Sequence, residues 1–137
     1  MMDVDLLEKK LALIETCIVE LRTLARLDRI PGDVREERFI EHSLQLAIQA
    51  ALDVASHIVS SERLGEPQTN RELFVMLERG AWLPAALAAQ LSRMAGFRNI
   101  LVHGYETVDL EIVRNVVVHH LDDLLEFVRL VRARLPG

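Results

Sequence analysis

Hydrophobic positions recur at helical spacing along almost the whole chain. From Asp3 to about Asp28, Leu7, Leu11, Ile14, Ile18, Leu21 and Ala25 alternate steps of four and three, which puts them on one seam of a long helix. Ile30-Pro31-Gly32 ends that helix. Asp33 followed by Glu36 has the form of a capping box, and a second helix then runs to about Ser61 with Phe39, Ile40, Leu44, Ala47, Ile48, Ala51, Ala55, Ile58 and Val59 apolar. Gly65-Glu66-Pro67 interrupts the chain again. A second capping box, Thr69 and Glu72, opens a short third helix through Leu73, Phe74, Met76 and Leu77 that stops at Gly80. Pro84 suits the first turn of a fourth helix. A fifth starts near Asp109 and repeats Leu110, Val113, Val117, Leu121, Leu124, Val128 and Val131 at seam spacing until Pro136. No strand-like alternation competes, so the pattern predicts an all-α fold: an antiparallel bundle of four long helices and one short helix, joined by brief loops.

The fourth helix carries an anomaly. Leu87, Leu91, Met94, Arg98, Leu101 and Tyr105 follow steps of four and three, so Arg98 and Tyr105 occupy slots on an otherwise apolar seam. Asn99 and His103 share a neighbouring face. Burying a cation or an imidazole without partners is costly, so these residues satisfy one another, line a cleft or meet a second subunit. On an ideal helix Arg98 and His103 point about 140° apart, too far for both to grip one small group. Either Gly104 ends or bends the helix just after His103, or a symmetry-related copy supplies the second half of each site. On the second helix Gln45, Gln49, Asp53 and Ser56 or His57 form a polar stripe. It is either a solvent-facing edge or an orienting partner for Arg98 or His103, with Asp53 the best candidate to pair with Arg98.

Composition narrows the setting. The 137 residues fit one domain, residues 1–137, long enough to bury a core without disulfide or metal staples. Half of the residues are hydrophobic beside 27% charged, a balance that implies apolar surface covered by a partner, most simply another copy. The apolar runs fall short of the roughly 18 to 20 residues of a membrane span, and Met1-Met2-Asp3-Val4-Asp5 is acidic where a signal peptide is basic. The expectation is a cytoplasmic protein with no membrane association. The single cysteine, Cys17, reads as a packed thiol within a helix.

A net charge of -5 argues against nucleic-acid binding by bulk electrostatics but leaves room for a small local RNA site. Of the 16 basic residues 14 are arginine, whose planar fork suits phosphate contacts. His119 and Asp123 stand one turn apart without further ligands at metal-site spacing, so an exposed helix face is the better reading, and His42 and His57 read as structural. There is no glycine-rich phosphate loop, serine nucleophile elbow or cysteine metal framework.

The motif residues carry a resemblance. Arg98, four residues, His103, one residue, Tyr105, with Asn99 directly after the arginine, resembles the hallmark of HEPN domains and specifically of HepT-like toxins. Residues 46–53, 94–99 and 108–111 are similar to the same family, and the likeness spans about residues 5 to 130. The resemblance implies a HEPN-like helical fold. It further implies the toxin of a HEPN/MNT (type VII-like) toxin–antitoxin pair, a metal-independent endoribonuclease with no cofactor. The substrate would be RNA, with tRNA a candidate, and the enzyme a homodimer in which two copies of the Arg-x4-His motif share one cleft. The catalytic residues implied are Arg98, Asn99 and His103. Tyr105 is implied as the residue to which a cognate MNT-type nucleotidyltransferase antitoxin attaches AMP, silencing the toxin. The side chains fit that chemistry: His103, with an ordinary pKa near about 6.5, can act as base or acid, Arg98 can neutralise a phosphorane, and Asn99 can orient the histidine or the phosphate. The alternative is a non-catalytic helical dimer whose motif serves mainly to bind a nucleotidyltransferase partner. A purely structural reading of the residues also stands: Arg98 snorkels or pairs at a bundle end, His103 caps the helix C-terminus and Tyr105 anchors the following loop.

Overall fold

The computed structural model describes residues 2–103 and 108–136, with the side chains of Val102 and His103 outside the described set. Gly104 and Tyr105 also lie outside the described residues. Among the described residues there are six α-helices and no strand: α1 Val4–Leu24, α2 Val34–Ser61, α3 Asn70–Arg79, α4 Ala85–His103, α5 Leu110–His119 and α6 Leu121–Arg134. The all-helical expectation is met, with corrections at element ends.

The first helix stops at Leu24 rather than near Asp28, and Leu27–Arg29 form a 3-10 turn. Glu36 explains the early stop. Its carboxylate accepts the backbone N–H of Arg26 at 2.9 Å, and Arg114 donates to the carbonyls of Leu27 at 2.7 Å and Ile30 at 2.6 Å. Asp33 caps α2 by accepting from the Glu36 N–H at 3.2 Å, so only half of the expected capping box forms. At α3 the box is absent: Thr69 makes no side-chain cap, and Glu72 accepts instead from the backbone N–H of Gln68 at 2.6 Å.

The predicted fifth helix is two helices. His120 ends α5 by donating its N–H to the Val116 carbonyl at 2.9 Å and starts α6 by accepting from the Asp123 N–H at 3.2 Å. The β-branched run Val116-Val117-Val118 weakens helix propensity just before the break. Asp123 meets the ring of His120, Nδ1 to Oδ2 3.1 Å, rather than that of His119.

The longest helix, α2, is the centre of the bundle, packed against α1, α3, α4 and α6. Its small residues Ala47, Ala51 and Ala55 are fully buried and let neighbouring helices approach closely, while Ile40, Leu44, Ile48 and Ile58 fill the spaces between them. Phe74 of α3 meets Phe127 of α6 edge-on, ring centres 5.8 Å apart. Polar contacts between helix ends give the helix directions. Asp3 and Lys10 at the start of α1 meet His57 and Asp53 near the end of α2, and Arg22 at the end of α1 meets Asp122 at the start of α6. Both helices therefore run antiparallel to α1. No described helix is long and apolar enough to cross a membrane.

Candidate functional site

The last two turns of α4 hold the polar residues that the seam made anomalous. Leu87, Leu91, Met94 and Leu101 are buried as the periodicity requires, and Arg98 sits among them half-buried. Its Nη1 donates to Oδ1 of Asn99 at 3.3 Å. Its Nε is buried and has no hydrogen-bond partner among the described residues. A buried N–H of a charged group is seldom left so, because its desolvation is then uncompensated. Asn99 is exposed, as is Ile100 beside it, so this end of α4 opens to solvent.

α4 remains helical through His103, so its register alone sets position 103 about 140° round the axis from Arg98. The structure brings Arg98 and Asn99 together. The roles expected of the His103 side chain, of Gly104 as a bend and of Tyr105 lie outside the described residues.

Asp53 is not the partner of Arg98. It accepts from Lys10 Nζ at 2.9 Å and from Gln49 Nε2 at 2.8 Å, so this part of the polar stripe on α2 faces α1. His57 has the structural role expected, its Nε2 accepting from the backbone N–H of Asp3 at 2.9 Å. Cys17 is buried, and burial, reinforced by the nearby charge of Glu20, pushes its thiol above the ordinary range. It is the inert thiol expected.

Two features escaped the sequence reading. Glu41 of α2 is only 4% exposed, and burial pushes its carboxyl above the ordinary range, with Arg38 opposing and Glu37 adding to the shift. Its place at a step of three before the core residue Leu44 was the available signal. The second is Arg71 of α3, whose guanidinium lies on Gly96 of α4. A Cβ at position 96 would stand 2.9 Å from its Nη2. Nothing local in the sequence pairs residues on different helices.

Beside the motif, α4 and α5 enclose a shallow groove of about 190 Å³ lined by Gln90, Arg93, Phe97, Ile112, Asn115 and His120. Ile112 at its edge and Ile100 on α4 are each 46% exposed. Among the described residues no group of three or more His, Cys, Asp or Glu side chains is arranged to hold a metal ion.

Residues 10–131 match the family described as Ribonuclease HepT-like, and the chain belongs to that family of HEPN domains. It is 33% identical over 136 residues to the mRNA nuclease HepT of Shewanella oneidensis, an alignment covering 94% of this chain and 98% of that protein. It is also 31% identical over 132 residues to the tRNA nuclease HepT of Aphanizomenon flos-aquae, covering 95% of this chain and 90% of that one. Among solved structures, the tri-AMPylated Shewanella oneidensis HEPN toxin in complex with MNT antitoxin matches with a TM-score of 0.88 and 32% identity, over 95% of this chain and 98% of that chain. The helical architecture described above is thus the HEPN fold.

Proposed function

We propose that this chain is the ribonuclease toxin of a HEPN/MNT toxin–antitoxin pair, with Arg98, Asn99 and His103 as its catalytic residues. The observation that carries this reading is the state of Arg98. A half-buried guanidinium, tethered to Asn99 and with a buried Nε–H lacking a partner among the described residues, is a preorganised anion receptor. Membership of the HepT-like family gives that receptor a reaction.

The reaction needs no metal ion. The 2'-hydroxyl of the nucleotide before the cut loses its proton and attacks the adjacent phosphorus. The phosphorus–5'-oxygen bond then breaks, and the departing oxygen takes up a proton. His103 serves as base or acid in these transfers, and Arg98 stabilises the negative charge that develops on the phosphoryl oxygens. The products are a 2',3'-cyclic phosphate and a free 5'-hydroxyl. A second copy of the chain supplies the complementary group, since Arg98 and position 103 diverge on one helix. The exposed Ile100 and Ile112 beside the site support a homodimer formed on this face, in a single HEPN-like domain occupying the cytoplasm.

Control is assigned to Tyr105, the only tyrosine. A cognate nucleotidyltransferase transfers AMP from ATP to its hydroxyl, the oxygen losing its proton as it bonds the α-phosphorus and pyrophosphate leaving, which places a bulky anion two residues from the catalytic histidine and blocks RNA. The tri-AMPylated state of the related Shewanella oneidensis HEPN toxin in complex with MNT antitoxin supports control by AMPylation.

The purified protein is expected to cut single-stranded RNA in excess EDTA, leaving cyclic phosphate ends, and to spare RNA carrying a 2'-deoxy nucleotide at the cleaved position. If His103→Ala cuts as fast as the parent, the catalytic assignment is wrong. Co-expression with the nucleotidyltransferase is expected to add adenylyl mass to the Tyr105 peptide. A chain that binds that partner tightly but shows no motif-dependent toxicity is instead a non-catalytic binding module.

A further inference from the structure

Helical register places a further cation on the His103 side of α4. Ser92, Gly96, Asn99 and His103 are separated by steps of four, three and four, so at about 100° per residue they fall within a sector of about 60°. Arg98 lies outside that stripe. Arg71, from the first turn of α3, lies on it: a Cβ at position 96 would meet Nη2 at 2.9 Å, and Cζ and Nε each at 3.1 Å, so the guanidinium lies against the bare backbone of Gly96.

Two hydrogen bonds fix this seat. Arg71 Nε donates to the Ser92 carbonyl at 3.2 Å, and Ser92 Oγ donates to the Arg71 carbonyl at 3.2 Å. The Nη groups make no hydrogen bond or ion pair among the described residues, and the side chain is exposed. Glycine in a helix interior costs about 1 kcal/mol relative to alanine, so position 96 gives up stability where the guanidinium is seated. In a chain of net charge -5, an arginine pinned by backbone contacts with its fork unpaired is ready to receive an anion.

We propose that Arg71 binds a phosphate of the RNA strand neighbouring the one that is cut, so that the strand runs along the Ser92-to-His103 stripe of α4. This rests on the ribonuclease reading above. Positions 96 and 103 are about 10 Å apart along the helix axis, seven residues at about 1.5 Å each. That separation puts Arg71 beyond reach of the reacting phosphate and beside an adjacent one. The contact is to the backbone of the strand and carries no base preference.

The test uses the full-length protein carrying His103→Ala to prevent cleavage, with a fluorescent single-stranded RNA oligonucleotide followed by anisotropy across a salt series. Adding Arg71→Ala is expected to weaken binding about three- to tenfold and to lessen the slope of log K against log salt by about 0.7, one phosphate contact on a single strand. Arg71→Lys, which keeps the charge and loses the fork, is expected to fall between the two. Gly96→Ala is expected to weaken binding as well, because its new methyl crowds the guanidinium from Nη2 to Nε, while the helix propensity gained offsets the exposed Nε–Ser92 hydrogen bond and keeps the melting temperature equal or higher. With His103 intact, Arg71→Ala is expected to raise KM and leave kcat unchanged.

Unchanged affinity and salt slope in Arg71→Ala, alongside weakened binding in Arg98→Ala, would overturn this inference and leave the ribonuclease reading standing. The same holds if Arg71→Ala weakens only the nucleotidyltransferase complex. If the parent neither binds nor cuts RNA, the ribonuclease reading itself is wrong and the Arg71 assignment goes with it.

Discussion

Arg98 spends one donor on its own neighbour, Nη1 to Oδ1 of Asn99 at 3.3 Å, and keeps a buried Nε–H unpaired among the described residues. A lysine cannot reproduce that geometry, because it offers a point charge and no fork. Single-turnover cleavage of an RNA oligonucleotide is expected to fall about 10²- to 10³-fold in Arg98→Ala, with Arg98→Lys recovering little of the loss. Asn99→Ala, which removes the tether on Arg98, is expected to cost about tenfold. Wild-type rates in Arg98→Lys would show that positive charge alone is required.

Glu15 of α1 accepts from Nη1 and Nη2 of Arg132 at 3.1 and 2.9 Å. These bonds hold its carboxyl below the ordinary value of 4.5; burial opposes the shift, and the charge of Arg132 adds to it. A carboxyl with a lowered folded pKa stabilises the fold above its unfolded value, and the contribution is lost as pH falls through the folded value. Both side chains are partly exposed, so the pair contributes only about 0.5–1 kcal/mol. Glu15→Gln is expected to unfold more readily than the parent at pH 7, and the two urea curves are expected to converge as the medium is acidified below pH 4.5. A gap that persists undiminished in acid would mean that packing, not charge, distinguishes them.

Arg114 ties α5 to the turn after α1 through the carbonyls of Leu27 and Ile30. Removing a charged double donor leaves both carbonyls to find water, and Arg114→Ala is expected to lower unfolding free energy by about 2–3 kcal/mol. Chemical denaturation followed by circular dichroism measures this, and a change under about 0.5 kcal/mol would mark the bonds as dispensable.

Cys17 is 2% exposed, and burial holds its thiol protonated at neutral pH. Iodoacetamide is expected to leave the native protein unmodified and to label Cys17 only after denaturation. Rapid labelling of folded protein would show that α1 opens locally.

Much of this molecule was legible before any coordinates. A helix buries one seam every 3.6 residues, so the steps of four and three through Leu7 to Leu21 and Ile40 to Ile58 determined where the helices lie and which residues face the core. The same regularity exposed Arg98 as a charge in an apolar slot. Regularity also hid something: Val117 and Leu121 keep the seam in phase across His120, so the division of α5 from α6 left no trace in the pattern.

Pairings between helices belonged to the tertiary structure. Asp53 was the best candidate on α2 to pair with Arg98, and only packing showed it held instead by Lys10, 43 positions earlier. Arg71 and Ser92, 21 positions apart, meet because α3 folds back along α4 and Gly96 leaves room for a guanidinium. Helical register is a local property that each stretch of sequence sets for itself. Which faces then meet depends on how all the helices share one core, and no single stretch encodes that.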